Sequence, residues 1–303
     1  MLSVFLPLLI KVLPLYALIL LGYISRRYLE VDSRSLARLV IYLISPVIVF
    51  HSGFSNALEL NVLALPLIFC GVASTVALLS TLLARFFFKD STRSLYAFAS
   101  GNSNTGYFGL PVLLALMGQD ILSLAALTSL GSILYENSLG VFLLARGHYS
   151  VKDSFKKVLR LPAIYALVAG LLLNALNLQT DSSIYIDFIG LFKGAYVILG
   201  MMIIGSGIAS IQRTSFDQKL LSLGFFSKFG LTPLVMGVVL FFLGSWISPE
   251  AHDVLWILSL CPVAANTVAY AHELKIFPEK AATLVFLSTI FAMFYIPLMA
   301  GLL

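Results

Sequence analysis

Two stretches of this chain carry residue types suited to reversible binding of a small charged solute. The first is Gly101-Asn102-Ser103-Asn104-Thr105-Gly106-Tyr107-Phe108-Gly109-Leu110-Pro111, and the second is Cys261-Pro262-Val263-Ala264-Ala265-Asn266-Thr267-Val268-Ala269-Tyr270. Both lie inside long apolar runs. Glycine and proline interrupt a helix there, and lipid cannot satisfy the freed backbone groups, so each stretch must face protein or a water-filled cavity. A new half-helix is expected to start near Gly109–Pro111 in the first stretch and near Asn266 in the second. Its unpaired N–H groups and positive dipole end point back to the break. Two such ends meeting from opposite sides favour an anion. Asn102, Asn104 and Asn266 add amides; Thr105, Thr267, Tyr107 and Tyr270 add hydroxyls; Pro111 and Pro262 mark the interruptions. With no arginine in either stretch, the attraction is expected to be mainly dipolar. A pair of merely kinked helices is the competing reading. Two matched, central, asparagine-bearing breaks weigh against it.

Glu136 is the one acid near the middle of an apolar run. A buried carboxylate is costly and needs a partner or a proton. Asn137 follows it, and Ser132, Ser129 and Thr128 precede it within about two turns, so several share its side of a helix. Two readings stand together. Glu136, Asn137 and Ser132 bind a coupling ion, H+ or Na+, beside the first break, or Glu136 is protonated and bonded to another helix. No His-Glu-x-x-His pattern or cysteine pair suggests a metal, and no organic cofactor is expected. Cys70 and Cys261 read as small buried hydrophobes.

Composition sets the elements that must position these residues. Of 303 residues, 60% are hydrophobic and 11% charged, and mean hydropathy is +0.99. That leaves too few polar side chains to cover a water-facing surface, which excludes a soluble enzyme, a disordered chain and a disulfide-rich secreted domain. Apolar runs fall at 4–25, 36–53, 61–84, 95–117, 121–145, 161–178, 185–211, 219–246, 252–274 and 281–302. Each suits a membrane-spanning helix of about 20 residues. The spacing therefore predicts an all-α membrane protein with ten transmembrane helices. The first run carries Lys11 and ends at Ser25-Arg26-Arg27 without a small-residue cleavage site, so it reads as a permanent helix. The two breaks fall in the fourth and ninth runs, the same place in residues 1–150 and 151–303. Five helices per half invert the second half. A matched pair of interrupted segments is the sequence pointer to a transporter binding site.

The net charge of +5 points at first to nucleic acid, but its placement points to topology. Fifteen of the nineteen Lys and Arg lie in the connections after helices 1, 3, 5, 7 and 9. The connections after helices 2, 4, 6 and 8 have none and carry Glu59, Asp120, Asp181, Asp187, Glu250 and Asp253. By the positive-inside rule the odd connections are cytoplasmic and both termini are outside. Lys11, Arg38, Lys193 and Lys228 are left over, and these are expected to snorkel from helix ends. Gly200, Gly205 and Gly207 give the seventh helix a small face, for a scaffold, a dimer or packing within the chain.

The first stretch resembles the helix 4 crossover of the auxin efflux carrier family, which includes plant PIN carriers and many bacterial carriers. The second, with Ala271-His272-Glu273-Leu274, resembles its helix 9 crossover. Leu20–Tyr23, Leu43–Phe50 with Pro46, and Leu161–Ile164 add weaker matches, so the likeness spans the chain. It lacks the large cytoplasmic loop of long plant members and is similar to the short prokaryotic form. The resemblance implies a 5+5 inverted repeat with crossing broken helices 4 and 9. It implies scaffold helices 1, 2, 6 and 7, through which a homodimer forms, and mobile transport helices 3–5 and 8–10. It implies an elevator-like motion and a small organic anion as cargo, with Asn104 and Asn266 the best matches to the family's crossover asparagines and Asn102 next. The reading is a secondary carrier of mono- or dicarboxylates in the bilayer of a bacterial cytoplasmic membrane. The alternatives are a sodium-coupled symporter of bile-acid type and a membrane anion sensor.

Overall fold

The structure, a computed structural model, describes residues 17–55, 60–118, 121–150, 159–178, 182–209 and 216–300, with Pro14, Lys152, Asp153 and Lys156. Among them every element is helical, and the one strand-like pairing joins Ser103 to Val263. Helix α1 covers 17–28. Helices α2 (Ser33–Leu39) and α3 (Ser45–Ser55) run on through a π-turn at Val40–Ile44. Helix α4 is Leu60–Phe87. Helices α5 (Thr92–Gly101) and α6 (Leu110–Met117) are the two halves of the fourth run. Helices α7 (Leu122–Tyr135) and α8 (Val141–Ala145) join through a π-turn at Glu136–Gly140. Then come α9 (Pro162–Ala175) and α10 (Ser183–Ala209). Helices α11 (Gln218–Phe226) and α12 (Thr232–Leu243) join through a π-turn at Ser227–Leu231. Helices α13 (Pro249–Ser259) and α14 (Asn266–Leu274) are the halves of the ninth run, and α15 (Pro278–Ala300) is last.

Among the described residues, six stretches are long and apolar enough to cross a bilayer: Ser33–Ser55, Ala64–Phe87, Leu127–Ala145, Ser183–Ala209, Gln218–Leu243 and Pro278–Ile296. For the fourth, sixth and ninth runs the difference from ten has a physical cause. The fourth and ninth runs are cut into halves too short to cross alone, and Tyr165–Ala175 is apolar but short. Most of the first run, Lys11 included, lies outside the described residues.

The basic connections gather at one end of the molecule. Arg38 Nε meets Glu273 at 2.9 Å, tying the start of the second run to the end of the ninth. Ser91 Oγ donates to the Gly147 carbonyl at 2.7 Å, and His148 Nε2 lies 3.0 Å from the Lys275 carbonyl oxygen. Lys280 Nζ donates to Asp217 at 2.8 Å and to Thr92 Oγ1 at 3.0 Å. Elsewhere, Asn174 Nδ2 donates to the Gly53 carbonyl at 3.0 Å, joining α9 to α3 near the ends of both helices. The alternation of charge along the sequence is thus a separation of the odd connections in space.

Two apolar clusters fill the interior. One takes in α5 and α14 with Ile203, Ile204 and Leu284. The other takes in α6 and α13 with Leu65, Met236 and Ile296. The broken runs pass from one cluster to the other, so their polar middles sit between two apolar floors. The small face of α10 is used inside the chain: a Cβ on Gly205 would fall 1.8 Å from the Ile19 carbonyl oxygen, and one on Gly207 would fall 2.5 Å from Ala282 Cβ.

Asp217 also caps α11, accepting from the Leu220 N–H at 3.1 Å. Burial would raise its carboxyl, but Lys280 and the backbone N–H groups outweigh that and hold it below its usual 3.8. A lowered folded value contributes stability above pH 3.8, lost as pH falls through the folded value. Asp217→Asn keeps the cap and loses the charge, with an expected cost of about 0.5–1 kcal/mol at neutral pH. Asp217→Ala loses both, at about 1–2 kcal/mol. Thermal melts at neutral pH and through the acid range check both values, and the gap between wild type and Asp217→Asn should begin to narrow near pH 3.8 and close only below the folded value.

Candidate functional site at the crossing of the two breaks

Helix α5 stops at Gly101, where a Cβ would meet the Tyr135 ring at 2.5 Å and the Ala73 carbonyl oxygen at 2.6 Å. The chain then extends, with Asn102 at φ −88°, ψ 108°. It crosses the second break antiparallel to it. The Asn104 N–H donates to the Pro262 carbonyl at 2.8 Å, and the Ala264 N–H donates to the Asn102 carbonyl at 3.1 Å. Val263 N–H reaches Ser288 Oγ at 3.2 Å, and Ser132 Oγ donates to the Ser103 carbonyl at 2.9 Å. Each break therefore satisfies the other's backbone, with hydroxyls from α7 and α15 supplying the rest. This is the accounting that lipid could not provide. A π-turn at Thr105–Gly109 leads into α6, and α14 starts at Asn266. Both half-helices begin where expected.

Glu136 stands at this crossing with 4% of its surface exposed. Its Oε2 accepts from Asn102 Nδ2 at 3.2 Å and its Oε1 from Asn266 Nδ2 at 3.0 Å. One carboxylate thus clamps the two breaks together. Asn102 Nδ2 also donates to Thr267 Oγ1 at 3.2 Å, and Asn266 Nδ2 donates to the Tyr196 hydroxyl. The Oδ1 atoms of Asn102 and Asn266 are buried without a hydrogen-bond partner among the described residues. Carboxylate oxygens, two free amide oxygens and a threonine hydroxyl are the donor set of a hard cation. A buried amide oxygen left unpaired carries a penalty that a cation or a donor removes.

Beside Glu136 is a cavity of about 60 Å³. Asn104, Thr105, Asn266, Glu136 and Ser132 line it, together with Ser103, Ser129 and Tyr196. Asn102 and Thr267 sit behind its wall. Asn137 is brought near but is already engaged: its Nδ2 donates to the Ile133 carbonyl at 2.9 Å and its Oδ1 accepts from Tyr270 at 2.8 Å. Tyr270 is buried edge-on against Phe98, so it braces the site rather than lining it. Pro262 contributes its carbonyl. Tyr107 and Pro111 have their backbone in the π-turn and in α6, and their side chains lie outside what is described.

Lys228 overturns one expectation. It does not snorkel. It is 0% exposed, lies in the π-turn at Ser227–Leu231 and donates to Ser103 Oγ at the crossing. The site is therefore not purely dipolar, since a lysine side chain meets the first break at Ser103 and the Glu136 carboxyl group meets both breaks. Tyr196 was missed as well. A lysine ten residues into an apolar run was the available signal, since an intramembrane charge marks function by default. Nothing in the pattern around Tyr196 distinguishes it from a belt or packing tyrosine.

Residues 7–154 match the Membrane transport protein family, and residues 194–303 match the Sodium Bile acid symporter family. Over 305 aligned residues the chain is 25% identical to an uncharacterized transporter of Methanocaldococcus jannaschii, covering 95% of this chain and 96% of that protein. Over 203 residues it is 29% identical to an uncharacterized transporter of Methanothermobacter thermautotrophicus, covering 64% of this chain and 66% of the relative. These are transporter families, not enzyme families. With a helical membrane fold and two broken helices crossing at a buried polar centre, the chain is an auxin-efflux-carrier-like membrane transporter.

Proposed function

We propose that this protein is a secondary active transporter of a small organic anion, coupled to a cation at Glu136. Ten spans arranged as an inverted 5+5 repeat, both termini outside the cytoplasmic membrane, form a scaffold from runs 1, 2, 6 and 7. Runs 3–5 and 8–10 carry the crossing between two faces in an elevator-type cycle. One observation carries the reading: a single carboxylate, Glu136, is held at once by an asparagine from each break. A cation that neutralises it changes the contact between the breaks, so cation binding and the shape of the anion cavity are linked. The start of the π-turn at Thr105–Gly109 and the start of α14 bring helix N-terminal ends to the cavity, which suits an anion. The sodium-coupled form of the reading draws on the second-half match to sodium symporters and on the free oxygens of Asn102 and Asn266.

Uptake of labelled mono- and dicarboxylates into proteoliposomes tests the function, with choline replacing Na+ in one arm and a proton gradient in another. Asn104→Ala and Asn266→Ala are each expected to lower uptake about tenfold to a hundredfold, with folding intact. Normal uptake by both variants would remove the crossing from the mechanism. Uptake that persists in choline but needs a proton gradient selects H+ over Na+.

A further inference from the structure

Lys228 is unlike any other lysine described in this chain. It is fully buried, and no ion pair reaches it among the described residues. An ammonium has three N–H donors, and its hydrogen-bond partner is Ser103 Oγ. The preceding residue, Ser227, is tied elsewhere: its Oγ lies 2.5 Å from the Tyr96 hydroxyl and accepts from Ser80 Oγ at 3.2 Å. An isolated buried ammonium is expensive.

The geometry at Ser103 gives that charge a task. A hydroxyl has one proton and two lone pairs. Because Ser103 Oγ takes an N–H from Lys228, its own proton is free to be donated, and Ser103 is part of the cavity wall. On the same wall stands Glu136, held through Asn102, the residue before Ser103. Lys228 thus meets the first break through Ser103 Oγ, and Glu136 meets it through the preceding residue, Asn102.

We infer that Lys228 is the charge-setting positioning residue of the anion site: through Ser103 it polarises a hydroxyl toward the cavity and so selects a carboxylate over a neutral carboxamide of the same shape. Glu136 opposes the same anion until a cation neutralises it. The pair Lys228 and Glu136 thus makes cation and anion bind together, and by linkage each raises the other's affinity. This rests on the anion-carrier reading above.

The test is thermal unfolding of the purified full chain with acetate, lactate and succinate, each set against acetamide, lactamide and succinamide. Wild type should be stabilised by at least one of the acids and not by its amide. Lys228→Met should weaken that acid about tenfold or more, the order of one charge-assisted hydrogen bond, and lose the acid-over-amide preference. Lys228→Arg should restore part of the preference. Glu136→Gln should bind the acid more tightly than wild type. If Lys228→Met gives no cooperative transition, Ser103→Ala decides, since it leaves the lysine in place and should weaken the acid severalfold while amides are unaffected. Acid binding unchanged in Lys228→Met or in Ser103→Ala overturns the inference while leaving the carrier reading intact. Stabilisation of wild type by none of the acids sinks the carrier reading, and this inference with it.

Discussion

Glu136→Gln is expected to fold, to keep its melting temperature within a few degrees, and to lose concentrative transport. The reason lies in the two asparagines. As built, Asn102 and Asn266 both turn Nδ2 toward the carboxylate, leaving both Oδ1 atoms unpaired. Glutamine offers one acceptor and two donors in nearly the same shape. If the Asn102 amide rotates by half a turn, its free Oδ1 accepts from the new side chain, and the crossing closes with a neutral network. The variant therefore removes charge without leaving a hole, which Glu136→Ala would not do. A cation has then nothing to neutralise. Loss of an interaction with a charged group in a dry site is of order 3 kcal/mol, or about a hundredfold in coupled rate. Proteoliposome uptake against a gradient reads this, with exchange of labelled for unlabelled substrate as the second readout. Exchange should survive where accumulation does not. Accumulation by Glu136→Gln at the wild-type rate would make Glu136 a structural clamp and nothing more.

Gly205→Val is expected to have the largest effect on folding. Gly205 and Gly22 sit on facing helices, and each opens the way for the other's backbone. A Cβ at Gly205 would lie 1.8 Å from the Ile19 carbonyl oxygen and 2.7 Å from the Tyr23 nitrogen. One at Gly22 would lie 2.1 Å from the Met202 carbonyl oxygen. These are backbone atoms and cannot rotate aside, so the helices must part. Parting them also disturbs Ser206, whose hydroxyl meets Ser33 at the start of α2. Overpacking against backbone should cost more than about 3 kcal/mol, a large share of a typical total stability of about 5–15 kcal/mol. Gly190→Ala and Gly194→Ala on the same helix are the contrast, since a Cβ there meets nothing within 4 Å. They should melt at or slightly above wild type, because alanine favours helix over glycine by about 1 kcal/mol. Melting in detergent and the yield of monodisperse protein check both. A Gly205→Val protein as stable as wild type would mean that α1 and α10 are not packed as described.

Much of this fold was legible because the bilayer restricts what a chain can do. Long apolar runs must be helices, and positive charge must fall on alternate connections. Hence the helical class, the separation of the odd connections and the starts of the half-helices α6 and α14 were all readable in one dimension. So was the suspicion about Glu136, since a lone carboxylate in an apolar run has few explanations. The count of uninterrupted spans was not readable, because length and apolar content do not report where a helix is cut or shortened.

The partners of each polar atom are another matter. Lys228 and Lys193 look alike in the sequence, each a single cation in an apolar run. Lys193 is exposed on α10, while Lys228 is sealed beneath the crossing. Asn137 looked like an ion ligand beside Glu136, yet Tyr270, 133 positions away, takes its oxygen. Periodicity tells which face of one helix is apolar. It does not tell which second helix lies against that face. Sequence alone determined that two breaks must exist and must be satisfied by something other than lipid. Only the tertiary structure decided that they satisfy each other, with Glu136 meeting both and Lys228 meeting the first, because that pairing depends on contacts between segments more than a hundred residues apart.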